Sequence, residues 1–237
     1  MNKQSNTYTI IYIIVLVVVV GTALALTSIS LKDHQTANAN ADKMRQILAS
    51  VGIEATAGET AAVFDSTVTS QIVVDINGTV VDTPVKAFDV DVAMQSKEAA
   101  AERLLPVYVA TLPDGATKYI LPLYGAGLWG PIWGYIAVDA DGSTVYGAYF
   151  AHQGETPGLG AEIEKPAFSS RFKGKHLLLD NHFAPIAVVK AGMPAPEGCE
   201  AVDGVSGGTI TSKGVGAMID NCLSPYAAFL SNLHNNK

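Results

Sequence analysis

Two apolar runs enclose a polar turn in the stretch Tyr135-Ile136-Ala137-Val138-Asp139-Ala140-Asp141-Gly142-Ser143-Thr144-Val145-Tyr146. Aromatic and β-branched residues dominate both runs and an Asp-Gly pair lies between them, which is typical of a β-hairpin. The same arrangement surrounds residues 113–115, with strands predicted at 107–109 and 119–121, and it surrounds Asn77-Gly78. Successive hairpins favour a mainly antiparallel sheet over a doubly wound parallel one.

Helices are predicted on both sides of the hairpins. Apolar residues at i, i+3, i+4 and i+7 predict an amphipathic helix over 41–51, which Gly52 ends. A second helix is predicted over 97–105, and a third over 213–233, which Pro225 kinks or splits. Hairpins with flanking helices make the predicted fold class α+β.

The N-terminal region is predicted to cross a membrane as one helix. Residues 4–31 carry no charged side chain, and about 20 apolar residues span the hydrocarbon core of a bilayer. The alternative is a cleaved signal peptide, because Ala23-Leu24-Ala25 has a small-x-small pattern. The length of the apolar run favours a retained helix. Basic residues lie on both sides of it, so the positive-inside rule does not fix its orientation.

These patterns divide the chain into five predicted parts. They are an N-terminal tail (1–7), a transmembrane helix (8–31), a polar linker with the amphipathic helix (32–52), an intervening segment packed on the main domain (53–105), and the main domain (106–237). The linker itself is placed at 36–40, where Thr, Asn and Ala alternate.

Composition excludes several classes of function. The chain has 22 acidic and 15 basic residues and a net charge of −7, so a nucleic-acid partner is not expected. Cys199 and Cys222 are too few for a zinc or iron–sulfur framework, and they allow either one disulfide or two free thiols. The five histidines have no metal-ligand spacing, and there is no Gly-x-Ser-x-Gly motif. No metal site and no catalytic residue is therefore predicted.

The densest cluster of small and hydroxyl residues is Asp203-Gly204-Val205-Ser206-Gly207-Gly208-Thr209-Ile210-Thr211-Ser212. Its paired glycines let the backbone approach a ligand closely, and Ser212 is predicted to be the N-cap of the helix that follows. A helix N-terminus favours a phosphate group. The pattern alone is more often a structural loop, and the spacing of a Walker loop is absent.

The segment Asp203-x-x-Ser206-Gly207-Gly208-Thr209 resembles the flavinylation motif Asp-x-x-[Ser/Thr]-Gly-Ala-[Ser/Thr] of FMN-binding domains. In that family a separate, Mg-dependent flavin transferase moves FMN from FAD to the last hydroxyl of the motif. The resemblance therefore implies a phosphoester between FMN and Thr209. Gly208 departs from the usual Ala, which leaves the loop looser without blocking the reaction.

Two further segments carry the same resemblance, Glu155-Thr156-Pro157-Gly158-Leu159-Gly160 and Gly127-Leu128-Trp129. The Pro-Gly pair predicts a type II turn with a positive φ at Gly158. The resemblance implies that Leu128 and Trp129 cover the flavin ring and that Thr156 faces it. The full set of implied FMN-binding residues is Ser206, Gly207, Gly208, Thr211, Glu155, Thr156, Gly158, Leu159, Leu128 and Trp129.

Together the three segments resemble the family of C subunits of bacterial Na⁺-translocating NADH:quinone reductases, over nearly the whole chain. The resemblance implies a single-pass protein of the inner membrane, with its soluble domain on the extracytoplasmic side. Such a protein carries covalent FMN, relays electrons inside the complex and does not turn over alone. The implied partners are the other subunits, the flavin transferase during maturation, and membrane lipid.

Two other interpretations of the sequence would give the chain a different function. The G subunits of the Rnf ferredoxin:NAD⁺ oxidoreductases share the flavin motif and Glu-Thr-Pro-Gly-Leu-Gly, but the Gly-Leu-Trp segment and the longer region before the FMN domain favour the quinone reductase. The second alternative is an anchored extracytoplasmic binding or assembly protein without a cofactor, in which the Gly/Ser/Thr loop is only structural.

Overall fold

The computed structural model describes residues 5–235. The chain divides into two compact units, with the boundary between Lys43 and Met44. The helices are α1 (Asn6–Ser50), α2 (Thr60–Thr67), α3 (Val92–Gln95), α4 (Pro166–Ser169), α5 (Thr209–Leu223) and α6 (Ala227–Asn235). The strands are β1 (Val68–Val74), β2 (Leu105–Thr111), β3 (Thr117–Ala126), β4 (Pro131–Asp139), β5 (Val145–His152), β6 (Leu178–Leu179), β7 (His182–Phe183), β8 (Ala187–Val189) and β9 (Ala201–Asp203). Short 3₁₀ helices lie at Ala87–Asp89, Ala100–Glu102, Gly160–Glu164, Ser170–Phe172 and Ser224–Tyr226.

Helix α1 is continuous through the region where a polar linker was predicted. Residues 36–40 are helical, and the Thr36 hydroxyl donates to the Lys32 carbonyl 3.0 Å away, one turn earlier. No glycine or proline occurs between Thr22 and Val51, so nothing in the sequence forces a break. The apolar part of α1, with a mean hydropathy of 2.8, is long enough to cross a membrane.

The C-terminal end of α1 belongs to the second unit and is part of its core. Ile47, Leu48 and Val51 are buried, as the predicted apolar stripe requires. The helix ends in a Schellman motif, because Gly52 has φ +74° and the Ile53 N–H donates to the Leu48 carbonyl.

Strands β1 to β5 form one antiparallel sheet in which each strand pairs with its neighbours in sequence order. The predicted hairpins β2–β3 and β4–β5 are present with the expected turns, which confirms the α+β class. Strand β1, from the predicted intervening segment, is the first strand of this same sheet. Residues 53–105 therefore contribute to the main core.

Both faces of the sheet are buried. On β4, Ile136 and Val138 join a core cluster with α5 and α6, whereas Tyr135 and Ala137 face a second cluster formed with the end of α1 and with α2. Adjacent residues of a strand point to opposite faces, so each strand serves two cores. Helix α5 is held in this way directly against the sheet.

Two predicted elements differ in the structure. Residues 97–105 are not a continuous helix, because Leu105 already belongs to β2 and Pro106 disfavours helical geometry in the residue before it. The turn at Asn77-Gly78 forms, but its second arm makes only the bridge between Val74 and Val80. The main partner of β1 is β2, on the other side.

Candidate functional site

Helix α5 begins at Thr209, so Thr209 is its first residue. The predicted N-cap at Ser212 is wrong: Ser212 lies inside the helix, where its N–H donates to the Gly208 carbonyl. Its hydroxyl instead accepts a 2.9 Å hydrogen bond from the Val205 N–H and fixes the preceding loop. Thr209 is exposed, and the first N–H groups of the helix lie beside it without acceptors inside the helix. This is a favourable position for an anion.

The loop at 203–208 packs against the turn at 156–160. Gly207 has φ +76°, and a Cβ there would lie 2.6 Å from Cδ2 of Leu159. Gly208 is buried, and a Cβ on it would lie 3.2 Å from the Gly160 nitrogen. Gly208, where related motifs usually have Ala, therefore lies in a tight contact in this chain.

The turn at 156–160 has the predicted geometry. Gly158 has φ +74°, and the Leu159 N–H donates to the Thr156 carbonyl over 3.1 Å, which closes the turn. Thr156 and Gly158 are exposed at its outer side.

Glu155 joins all three sequence segments. One carboxylate oxygen accepts from the Trp129 N–H at 2.8 Å, and the other accepts from the Thr211 hydroxyl at 2.5 Å. Glu155 is 4% exposed and Thr211 is 1% exposed. Glycines at 127 and 160 leave space for the carboxylate, since a Cβ at either position would contact it. We call Glu155, Thr211 and the backbone of 128–130 the Glu155 cluster.

The Glu155 cluster holds a negative charge in a buried position. Burial raises the pKa of the Glu155 carboxyl, but the hydrogen bonds from Thr211 and from the N–H groups of residues 128–130 outweigh burial and hold the pKa below its usual value. Glu155 is therefore ionised at neutral pH, and both of its oxygens are bound to protein donors. Thr211, similarly, has its hydroxyl committed to Glu155.

His152 supports the same region from the preceding strand. Its Nδ1 accepts the Glu155 N–H at 3.2 Å, and its Nε2 lies 3.5 Å from a carboxylate oxygen of Glu164. An acceptor role for Nδ1 places the ring proton on Nε2, toward Glu164. The sequence offered no pattern that would have assigned this role to His152.

Exposed apolar side chains surround the Glu155 cluster. Trp129 is 70% exposed, Ile210 58%, Leu128 47% and Leu159 43%. These residues come from three segments, which the Glu155 hydrogen bonds and the Gly207–Leu159 contact bring together. We call this set the apolar surface. A planar aromatic ligand held beside Thr209 would find its contact area there.

A cavity of about 430 Å³ opens beside Thr209. Its walls are the end of β8 with the residues after it, the loop at 204–207, and the first turn of α5. Ser206, Gly207 and Thr209 line this cavity, whereas Leu128, Trp129, Glu155 and Thr156 do not. The predicted site residues therefore fall into two groups, one at the cavity and one around the Glu155 cluster.

Thr209 has no base of its own. Within residues 5–235 its hydroxyl makes no hydrogen bond to another side chain or to the backbone. A threonine hydroxyl without an adjacent base is a weak nucleophile.

The two cysteines are free thiols, which decides between the alternatives that the sequence left open. Cys222 is buried between α5 and β3, where its sulfur lies 3.3 Å from the Tyr124 nitrogen, and burial raises the pKa of its thiol. Cys199 is partly exposed in the segment before β9.

Comparison with known proteins places the chain in a family. The family model of the FMN-binding domain matches residues 127–224, a range that includes all three segments. The chain is 38% identical over 203 residues to the C subunit of the Na⁺-translocating NADH-quinone reductase of Vibrio vulnificus, covering 79% of each chain. The identity to the C subunit of the Pseudomonas aeruginosa reductase is 33% over 256 residues, covering 98% of this chain and 97% of the relative.

A solved structure agrees with this relationship. The crystal structure of the C subunit of the Parabacteroides distasonis reductase superposes with a TM-score of 0.77 and 48% sequence identity, covering 84% of this chain and 96% of that one. The chain belongs to the C-subunit family of these reductases. It is accordingly a flavoprotein with an FMN-binding domain, in a family whose members work in a membrane complex with other subunits.

In this member of the C-subunit family, several residues beside Thr209 were not identified by the sequence motifs. Lys213 follows the motif on α5, and Lys190 and Met193 reach the cavity from the segment after β8. Arg171 donates to the carbonyls of Asp203 and Gly204 and so fixes the start of the loop. Lys190, Met193 and Arg171 lie far from the motif in sequence, so only the tertiary structure could identify them.

Proposed function

We propose that this chain is the membrane-anchored C subunit of a Na⁺-translocating NADH:quinone reductase, in which it carries covalent FMN and relays electrons. The observation that carries the proposal is the placement of Thr209. It is the exposed last hydroxyl of the flavinylation motif and the first residue of α5, beside an apolar surface and a cavity. A phosphate on that oxygen meets the positive end of the helix.

The residues of the chain hold and orient the flavin. The phosphoester at Thr209 retains FMN outside the cytoplasm, where lost cofactor is not replaced. Ser206, Gly207 and Gly208 give the backbone close access to the phosphate, and the apolar surface, with Leu128, Trp129 and Leu159, receives the ring. FMN supplies one- and two-electron redox chemistry when it is bound.

The Glu155 cluster has a positioning role in this proposal. Its carboxylate is saturated by protein donors, so Glu155 fixes the three segments and does not contact FMN directly. Thr211 acts in the same way, because its hydroxyl is buried against Glu155. Thr156 and Gly158 are exposed and remain available to the flavin.

A flavin transferase is required because Thr209 lacks a base. Ser206, Gly207 and Thr209 are exposed, so the active site of another enzyme can reach this end of the loop. The remaining partners are the other subunits of the complex and membrane lipid around the apolar part of α1, with residues 44–235 on the extracytoplasmic side. The chain passes electrons between partners and does not turn over alone.

Covalent attachment is tested with fluorescence after denaturing electrophoresis. We expect a fluorescent band from the full chain produced with its flavin transferase, no band from Thr209→Ala, and a band from Thr209→Ser, which keeps a hydroxyl. Thr209 is exposed, so the alanine variant should unfold at nearly the wild-type temperature.

Retained fluorescence in Thr209→Ala would place the bond elsewhere. Ser206 would then be the first candidate, because it is exposed, whereas Thr211 is buried and bound to Glu155. A wild-type band that is missing in the presence of active transferase would favour the cofactor-free alternative.

The orientation is tested with Cys199. A maleimide that cannot cross membranes should label Cys199 in spheroplasts, because this thiol is partly exposed while Cys222 is buried. Cys199→Ser is the control and should remain unlabelled. Labelling that occurs only after the membrane is broken would place the domain in the cytoplasm.

A further inference from the structure

Two lysines share the cavity with Thr209. Lys190 follows β8, and Lys213 belongs to α5. Both are exposed, and neither forms an ion pair with any residue from 5 to 235. Both lysines line the same cavity as Thr209, so their charges are available to an anionic group on that hydroxyl.

Helix geometry directs Lys213 toward Thr209. The two residues are four positions apart on α5, so their side chains lie on the same face, one turn from each other. Side chains on a helix tilt toward its N-terminus, which carries the Lys213 ammonium back along the helix toward the Thr209 oxygen. The free N–H groups of the first turn lie at the same end.

We propose that Lys213 binds the phosphate that joins FMN to Thr209, first during its transfer and then in the loaded protein. This inference rests on the attachment proposed above. In the transfer, the Thr209 oxygen bonds to the phosphorus on the riboflavin side of FAD, and the pyrophosphate P–O bond breaks. AMP leaves with the bonding electron pair, and the hydroxyl proton passes to a base of the transferase.

The role of Lys213 in this step is electrostatic. Its ammonium donates to a non-bridging phosphate oxygen and offsets the charge that concentrates there as the bond to Thr209 forms. A competing role for Lys213 is to cover the apolar cavity wall with its methylene groups. Lys213→Met separates the two roles, because methionine keeps the apolar stem and removes the charge.

The test measures the initial rate of flavin incorporation into the purified full chain, with FAD, Mg²⁺ and the flavin transferase. We expect Lys213→Met to slow incorporation about tenfold and Lys213→Arg to restore most of the rate. Lys97→Met is the matched control, because Lys97 is an exposed lysine away from the cavity, and its rate should equal that of the wild type. Added salt should slow the wild type more than Lys213→Met.

Three outcomes would count against the proposal. A wild-type rate in Lys213→Met at every salt concentration would overturn it and leave Lys213 as a cover for the cavity. A Lys213→Arg rate as slow as that of Lys213→Met would also overturn it, since arginine keeps the positive charge and binds phosphate. A wild-type chain that takes up no flavin would instead remove the attachment at Thr209, and this inference with it.

Discussion

At the scale of single residues, Glu155 shows how one buried charge organises a site. Its partners Trp129 and Thr211 are 26 and 56 residues away in sequence, and each belongs to a different segment. Buried polar groups need partners, and a buried carboxylate with several donors is stable in its charged form. The local shape of the site therefore depends on ionised Glu155.

Glu155→Gln should destabilise the protein in a pH-dependent way. At neutral pH we expect a loss of about 1–3 kcal/mol in the free energy of unfolding, since an amide cannot accept on both sides. The lowered pKa of Glu155 stabilises the folded state fully above its ordinary value of 4.5, and this contribution is lost as the pH falls through the lowered pKa. The difference between wild type and variant should therefore shrink in acid.

Urea denaturation of both proteins across the acidic range measures this difference. Glu162→Gln is the control, because Glu162 is half-exposed and accepts one N–H, from Gly158. Its effect should stay within about 0.5 kcal/mol. A difference between wild type and Glu155→Gln that is independent of pH would show that the charge of Glu155 does not hold the segments together.

The assignment of Glu155 and Thr211 to the FMN site stays a prediction, and the sequence did not predict the contact between these two residues. The motif resemblance assigned both to FMN, whereas the structure binds their polar atoms to each other and to the backbone of 128–130. Which donor meets which acceptor depends on contacts between distant segments, and a single sequence does not contain these contacts. The assignment of Thr209 depends on its motif and the following helix, and it stays a prediction.

At the scale of elements, α5 lies unusually close to the sheet where it carries the site. A Cβ at Gly214 would collide with the Ala126 carbonyl at the end of β3, whereas a Cβ at Gly216 would lie 3.4 Å from the Val188 nitrogen, an ordinary contact. The two glycines are on the same helix and have different neighbours. Alanine substitutions at these two glycines therefore measure how much the close contact between α5 and the sheet contributes to stability.

We expect opposite effects from alanine at these two positions. Gly214→Ala should lower the free energy of unfolding by about 1–3 kcal/mol, because α5 must shift away from β3. Gly216→Ala should raise it by up to about 1 kcal/mol, since alanine has the higher helix propensity. Thermal unfolding measures both, and equal effects of the two variants would contradict the close contact at Gly214.

Helices and strands that are marked by short sequence features, such as a turn or a proline, were predicted correctly. The Asp-Gly turns identified the β2–β3 and β4–β5 hairpins, and Pro225 correctly marked the division between α5 and α6. The start of α5 was placed too late, because Ser212 resembles an N-cap but its hydroxyl serves the loop instead. The helix predicted over 97–105 does not form as one element, because Leu105 belongs to β2 and Pro106 disfavours helical geometry in the residue before it.

At the scale of the whole molecule, the end of α1 completes one of the two cores. Ile47, Leu48 and Val51 pack with Phe64 and with the sheet, within the unit that begins at Met44. The family model of the FMN-binding domain, by contrast, matches only residues 127–224. The stable unit is therefore larger than the matched domain.

Two truncations test this statement. A chain that begins at Met44 should fold and unfold cooperatively, because it keeps every residue of the second unit. A chain that begins at Ile53 loses Ile47, Leu48 and Val51, and it should be less stable by roughly 5 kcal/mol or more. Calorimetry distinguishes the two, and similar unfolding temperatures would show that the end of α1 is dispensable.

The continuity of α1 was not predictable from composition alone. Polar and apolar stretches suggested separate parts, but no glycine or proline occurs between Thr22 and Val51, so the helix that starts in the apolar part continues through the polar part. The burial of both faces of the sheet was not predicted either, because each strand was predicted only from the alternation of its own apolar and polar residues.

Both carboxylate oxygens of Glu155 are engaged by donors from the chain itself, the Trp129 N–H and the Thr211 hydroxyl. The surroundings of Thr209 can therefore reach their final form before any cofactor arrives. Cells short of riboflavin should consequently accumulate folded, colourless copies of this protein. Such copies would form a reserve, ready to become yellow as soon as the vitamin returns.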